Sequence, residues 1–333
     1  MIFFPLLTTF SVFAEAVVKI PLRGLNRNEL EKSRLADSAY SNDYMVCDLS
    51  LGTPPQNFTV MISSGGTQAW VLNTTFFGLK SGQHTYNVRQ FSNITIKSQV
   101  FGAAESVFDA YGSSFPADGA LGLSELTYDI YGLPNSPMKN LLDELDAKVH
   151  QKPSSGLNKG LITLAGIDTT NCDKNIHYVP LAVRAPDQTY DILIENFKFA
   201  DYSNQNSVYP AYAYLNSAES TISLKLDDIT AVYNNLNPEY DWHFGLYTLD
   251  CKNRETSSSL FFQMNGVVFE VKASEFILDL ELPDSKCALA IDQLNEHVMD
   301  RDYLLGSPFI RSYCQVYNFN DAVVGFARSI QSN

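Results

Sequence analysis

Positive charge is scarce in this chain of 333 residues: 23 Lys and Arg stand against 37 Asp and Glu, a formal net charge of −14. Without clustered basic residues a phosphate backbone has little to hold, so the sequence argues against nucleic acid as a partner. Long apolar runs are missing too. Ile2 to Ala14 is too short to cross a bilayer and no later run is longer, so no membrane span is expected. Cysteine occurs at only five widely spaced positions, with no CxxC metal or redox pair. The histidines (His84, His150, His177, His243 and His297) show no H-x-x-x-H or H-x-H spacing for zinc. No P-loop, dinucleotide fingerprint or G-x-S-x-G nucleophile elbow occurs. Neither a metal nor a cofactor is therefore expected. Low-complexity linkers and short repeats are absent as well.

What is present is an ordered body. The chain is 45% hydrophobic and 12% aromatic, which argues for a folded protein. Its length suffices for two lobes with full cores. The first residues end in Ala14-Glu15-Ala16, an A-x-A site, and residues 1–16 are read as a signal peptide. Residues 17–42 carry Lys19, Arg23, Arg27, Lys32 and Arg34, and a basic segment ahead of an acidic body suits a propeptide lying across it. Three sequons begin at Asn57, Asn73 and Asn93, as expected of a secreted glycoprotein. In an oxidising compartment five cysteines give two disulfides and a spare thiol.

From Tyr44 onward short β-rich runs alternate with Gly, Asn, Asp and Pro. They include Tyr44–Leu51, Phe58–Ser63, Ala69–Leu72, Leu161–Leu164, Val267–Val271 and Tyr313–Tyr317. One helix stands out, over Pro137–Val149, where Met138, Leu141, Leu142 and Leu145 recur at helical spacing. There is also a long-period duplication. An apolar strand enters a small polar turn at VMISSGGTQAWV (Val60–Val71) and again at AYLNSAESTISL (Ala213–Leu224). An apolar-apolar-Gly element follows each, at Ala120-Leu121-Gly122 and Leu304-Leu305-Gly306. Two lobes of similar construction follow.

Several of these segments carry a family resemblance. Leu51-Gly52-Thr53-Pro54-Pro55-Gln56-Asn57-Phe58, Trp70-Val71, Asp118-Gly119-Ala120-Leu121-Gly122-Leu123 and Leu305–Cys314 occur in the order seen in pepsin-like aspartic proteases (peptidase A1). The chain resembles nematode members most. The resemblance implies a mainly β, bilobal pepsin-like fold with two pseudo-twofold-related barrel-like lobes. It places the N-terminal lobe at 43–175 and the C-terminal lobe at 176–330. By family position it pairs Cys251 with Cys287 and Cys172 with Cys314, leaving Cys47 as a buried, inert thiol.

In that family each lobe supplies an Asp from an Asp-Thr/Ser-Gly turn, and the two carboxylates share a proton and a water. Here the first turn reads Ser63-Ser64-Gly65 and the second Asn216-Ser217-Ala218, and no Asp-Thr-Gly or Asp-Ser-Gly occurs in the chain. Ser63 and Asn216 are thus expected at the aspartate positions as non-catalytic residues, since neither a hydroxyl nor a carboxamide is a base near neutral or acidic pH. Ser64 and Ser217 keep the hydroxyls that cross-link the two loops. Residues 71–100 look too short for the family's Tyr-bearing flap and its supporting strands.

Three readings stay open. One is a secreted pseudoprotease, monomeric, that binds a peptide, protein or glycan in an interlobe cleft, in a gut lumen, a lysosome or outside the cell. Another is an aspartic-type endopeptidase with residual or unconventional activity. The third is a decaying duplicate with little function of its own.

Overall fold

The computed structural model describes residues 18–24, 45–52, 54–66, 69–72, 82–91, 94–104, 117–123, 149–152, 159–164, 166–182, 191–204, 211–294, 301–318 and 321–330. The expected signal peptide, most of the segment 17–42, the Pro137–Val149 helix and the sequons at Asn73 and Asn93 lie outside these residues.

The first part of the chain supplies nine strands: β1 (Val18–Gly24), β2 (Met45–Leu51), β3 (Gln56–Ser63), β4 (Ala69–Leu72), β5 (Gly82–Phe91), β6 (Ile94–Ala104), β7 (Gly119–Gly122), β8 (Val149–Lys152) and β9 (Lys159–Leu164). In β3, Phe58, Val60 and Ile62 alternate inward with little or no exposure, as a strand's period-two side-chain alternation requires, and Met61 on the opposite face is buried as well. Phe58, Val60 and Ile62 meet Leu49, Leu51, Val71, Phe101, Leu121 and Ile162 in one apolar core.

The rest of the chain adds β10 (His177–Pro180), β11 (Asp191–Ile194), β12 (Asn196–Phe199), β13 (Tyr202–Ser203), β14 (Ala211–Leu215), β15 (Ile222–Leu224), β16 (Glu239–Asp241) and β17 (Leu246–Asp250). It continues through β18 (Leu260–Met264), β19 (Val267–Val271), β20 (Ile277–Leu278), β21 (Lys286–Leu289), β22 (Ile291–Gln293), β23 (Tyr303–Leu305), β24 (Tyr313–Asn318) and β25 (Val323–Arg328). Its longest described helix is α1 (Leu226–Leu236), with Asp227 and Asp228 in the first turn, where the helix dipole favours acids. A second core forms around Phe197, Phe262, Phe269, Tyr303, Phe309 and Phe326.

A twelve-stranded sheet runs β10-β25-β24-β8-β9-β1-β2-β3-β7-β4-β6-β5. It therefore joins the first nine strands to β10, β24 and β25, which fall beyond residue 176, so the sheet crosses the lobe boundary expected from sequence. Sheets β11-β14-β23-β15-β22, β13-β12-β18-β19 and β16-β17-β21-β20 make up the remainder.

Within the expected propeptide segment, β1 is an integral strand. It pairs with β9 at six positions from Val18 to Arg23 and with β2 at Arg23 and Gly24. Ile20 and Leu22 are buried in the N-terminal core. Arg23 donates to the Asp48 carboxylate at 3.0 Å and to Thr59 Oγ1 at 3.2 Å.

The stretch between Trp70 and Phe101 holds more regular structure than the sequence suggested. Strands β5 and β6 form a long antiparallel pair, and both are tied into the sheet, β5 to β2 and β6 to β4.

The disulfides are Cys172–Cys314 and Cys251–Cys287, and Cys47 is a buried free thiol. The first joins the segment after β9 to β24.

Candidate functional site

The duplicated sequence element becomes a duplicated piece of structure. In the first copy β7 runs parallel to β3, with Ser63 opposite Gly122, and antiparallel to β4. In the second, β23 runs parallel to β14, with Leu215 opposite Leu305, and antiparallel to β15. Each copy thus carries a polar turn at the end of one strand, wedged beside a short strand of an apolar-apolar-Gly element. Leu123 N–H donates to Ser63 O at 2.8 Å, and Asn216 N–H donates to Leu305 O at 3.2 Å. Gly306 is needed for this closeness, because a Cβ there would stand 2.2 Å from Thr221 O and 2.6 Å from Glu219 O.

The two turns meet tip to tip. Ser64 N–H donates to Ser217 Oγ at 3.0 Å, and Ser217 N–H donates to Ser64 Oγ at 3.0 Å. Each hydroxyl then donates to a carbonyl at the end of the other lobe's strand: Ser217 to Ile62 O at 2.8 Å, Ser64 to Leu215 O at 3.3 Å. All four bonds are buried, so the backbone N–H and the hydroxyl of both Ser64 and Ser217 are paired. Ala218, the third residue of the second turn, packs against Val46, Met61 and Ala117 of the first lobe.

Beside this junction the structure brings Ser63 and Asn216 together. Ser63 Oγ donates to Asn216 Oδ1 at 3.0 Å and accepts from Gly66 N–H at 2.9 Å. Asn216 Oδ1 also accepts from Ala218 N–H at 3.0 Å. The serine's partners are therefore a carboxamide and a backbone amide. Neither can take its proton, so among the described residues these partners do not supply the base that activates a serine nucleophile.

Tyr214, one strand position before Leu215, reaches across the junction. Its hydroxyl donates to Gly65 O at 2.5 Å, and its ring is buried against Leu294 and Leu304. The Arg301 guanidinium lies 5.3 Å from the centre of that ring. Arg301 in turn pairs with Asp191, which sits directly across from Tyr214 on β11, at 2.9 Å with both side chains nearly buried. Sequence reasoning missed Tyr214, Arg301 and Asp191, since a tyrosine in a strand is unremarkable and the three lie far apart in the chain. Nearby, burial pushes the Tyr317 phenol up, and a hydrogen bond with Ser64 opposes the shift.

Among the described residues one group of metal-ligand side chains converges, Cys251, Asp279 and Cys287, and its cysteines are bonded to each other. As a disulfide they have no thiolates to offer. No helix among these residues is long and apolar enough to cross a membrane. Asn57 is exposed on β3, where its Oδ1 accepts from Ser50 Oγ at 2.5 Å.

The family model for eukaryotic aspartyl protease matches residues 77–329. The chain belongs to that family. Aspartic protease 1 of Caenorhabditis elegans is 29% identical over 87% of this chain and 83% of its own. Aspartic protease 17 of the same nematode is 28% identical over 89% and 85%. Human gastricsin is 23% identical over 87% and 82%. Among solved structures, the aspartic proteinase from Irpex lacteus superposes with a TM-score of 0.74, covering 94% of this chain and 98% of that one at 16% identity. That likeness gives the fold, which is the mainly β pepsin-like architecture.

Proposed function

We propose that this family member is a secreted pseudoprotease, which holds a peptide, protein segment or glycan in its interlobe cleft without cleaving it. The observation that carries the reading is the Ser63–Asn216 hydrogen bond, a neutral pair beside the junction of the two turns. By resemblance these are the positions of the catalytic aspartates. Acid proteolysis needs one ionised and one protonated carboxyl there, and losing even one acid–base group costs about 10²- to 10⁴-fold. The reciprocal Ser64–Ser217 bonds support a scaffold kept for shape. We also take the flap to be missing: β5 and β6 occupy the stretch between Trp70 and Phe101, and each is hydrogen-bonded into the sheet.

Secretion is supported by the two disulfides, which suit an oxidising compartment. Cleavage after Ala16 would also leave β1 whole, since that strand starts at Val18.

The test is a fluorogenic peptide assay from pH 2.5 to 6 on the purified secreted protein. No turnover above a reagent blank is expected. Cleavage that pepstatin abolishes would overturn the reading in favour of an unconventional aspartic endopeptidase.

A further inference from the structure

Trp242 is 88% exposed, at the turn that joins β16 to β17. This exposure is not a sign of looseness. Tyr240, 40% exposed, stands edge-on to Trp242 with ring centres 4.7 Å apart and planes at 76°. Tyr240 and Tyr247 are register partners across the hairpin, with ring centres 5.1 Å apart. Tyr247 packs in turn on Tyr233 of α1 at 4.7 Å, and both abut the C-terminal core. The turn itself is fixed by Asp241, whose Oδ1 accepts from His243 N–H at 2.9 Å and whose carbonyl accepts from Gly245 N–H at 2.8 Å. Gly245 has φ +68°, a conformation open to glycine. A braced aromatic row therefore ends in a large apolar ring in water, an arrangement that costs solvation and is enriched at binding surfaces.

The chemistry around the row is acidic. Residues 237–250 contain Glu239, Asp241 and Asp250 and no Lys or Arg. Among the described residues two cations reach these acids, Lys286 paired to Glu239 at 3.1 Å and Lys252 paired to Asp250 at 2.8 Å, and neither lies within residues 237–250. The whole chain carries −14. Two ring faces meeting near a right angle make a corner, not a flat platform. A flat platform suits the face of a sugar ring. A corner offers the negative faces of two π systems to one cation, and a planar guanidinium can stack on one wall while its edge meets the other.

We propose that the Trp242–Tyr240 corner, flanked by Glu239 and Asp241, is a docking site for an arginine side chain of a basic protein partner. The site lies on the β16-β17-β21-β20 sheet, which supplies none of the turn residues at Ser63 and Asn216, so it stands or falls apart from the pseudoprotease reading. Long-range attraction between a basic partner and the acidic chain brings the two together, and the corner supplies the specific contact.

The test is calorimetric titration of the full secreted chain with acetylated hexa-arginine, acetylated hexa-lysine and chitohexaose at 0.15 M salt. Hexa-arginine should bind more tightly than hexa-lysine, with no binding of the sugar. Trp242→Ala should weaken hexa-arginine binding about tenfold or more, and its exposed position leaves the fold intact, checked by an unchanged thermal midpoint. Glu239→Gln should weaken binding less and flatten its salt dependence. Equal binding by wild type and Trp242→Ala would overturn the proposal, as would preferential binding of the sugar or no binding of hexa-arginine at all.

Discussion

The Tyr214 hydroxyl and the Gly65 carbonyl, 149 residues apart in sequence, form a buried hydrogen bond of 2.5 Å between the two lobes. A Cβ at Gly65 would sit 2.1 Å from the phenol oxygen, so any other residue there displaces the Tyr214 side chain. Tyr214→Phe keeps the ring over Arg301 and leaves the carbonyl unpaired, so a loss of about 1–3 kcal/mol is expected. Gly65→Ala forces the ring out and should cost at least as much. Urea unfolding of both variants measures this. An unchanged midpoint for either would show that the contact does not clamp the lobes.

The neutral Ser63–Asn216 pair has a consequence for pH. Neither side chain gains or loses a proton between pH 3 and 7, so the pair contributes no slope to stability in that range. Ser63→Ala should lower the unfolding midpoint by a constant amount across it. A difference from wild type that grows or shrinks with pH would mean that a titrating group acts through this pair.

Asp228 behaves in the opposite way. It is buried on α1, where its carboxylate accepts from Tyr202 at 2.8 Å, Tyr303 at 2.5 Å and Asn204 at 3.2 Å. Burial pushes its carboxyl above the ordinary range, and the Tyr303, Tyr202 and Asn204 donors oppose the shift. With the folded value raised, the native state holds this proton more tightly than the unfolded chain. The resulting stability is complete below the ordinary carboxylate range and is lost as pH rises through the raised value. Asp228→Asn removes that dependence. Relative to wild type the variant should therefore gain stability from acid to neutral pH, and a relative loss in urea titrations would contradict the assignment.

Cys47 is 2% exposed on β2, and burial pushes its thiol up, with Asp48 adding to the shift and Arg23 opposing it. The thiolate is the reactive form. A thiol reagent at pH 8 should leave the native protein unmodified and label one cysteine once urea unfolds it without reductant. Labelling before unfolding would show that β1 and β2 open locally.

Deleting residues 17–24 removes β1 and uncovers the β9 edge. Two buried side chains, Ile20 and Leu22, are lost with it, about 1.5–3 kcal/mol each before the sheet hydrogen bonds are counted. The truncated chain should aggregate on purification. Normal yield with an unshifted thermal midpoint would mean that the strand is dispensable, as a removable propeptide would be.

Strands whose hydrophobic pattern is confined to one run were legible in the sequence. Ala69–Leu72 and Val267–Val271 are strands with those bounds, and Tyr44–Leu51 and Tyr313–Tyr317 differ from theirs by a residue. β1 was obscured by Lys19, Arg23 and Pro21, which lie in a segment read as a basic propeptide across the body rather than as a strand within it. Pro21 is tolerated because β2 pairs only at Arg23 and Gly24, so the proline has a partner strand on one edge alone. The helix α1 carries Ile229, Val232 and Leu236 at helical spacing, a signal diluted by the polar residues between them. At the site, Ser63 could be located from its flanking motif, and Asn216 from the duplication. The Tyr214–Gly65 contact could not. It depends on how one lobe is turned against the other, and nothing local encodes that.

The shared sheet has a consequence for synthesis. Strand β8, through Gln151, waits for β24, through Gln315, and β25 closes the same sheet near the end of the chain. A ribosome delivers these strands last, so the first lobe leaves the exit tunnel with an open β edge while the entire second lobe is still being made. Pairings this distant are slow to form, and an open edge invites the wrong neighbour. Biogenesis is therefore a stage at which this protein is exposed to misassembly, and where a chaperone that covers the open edge would matter to it.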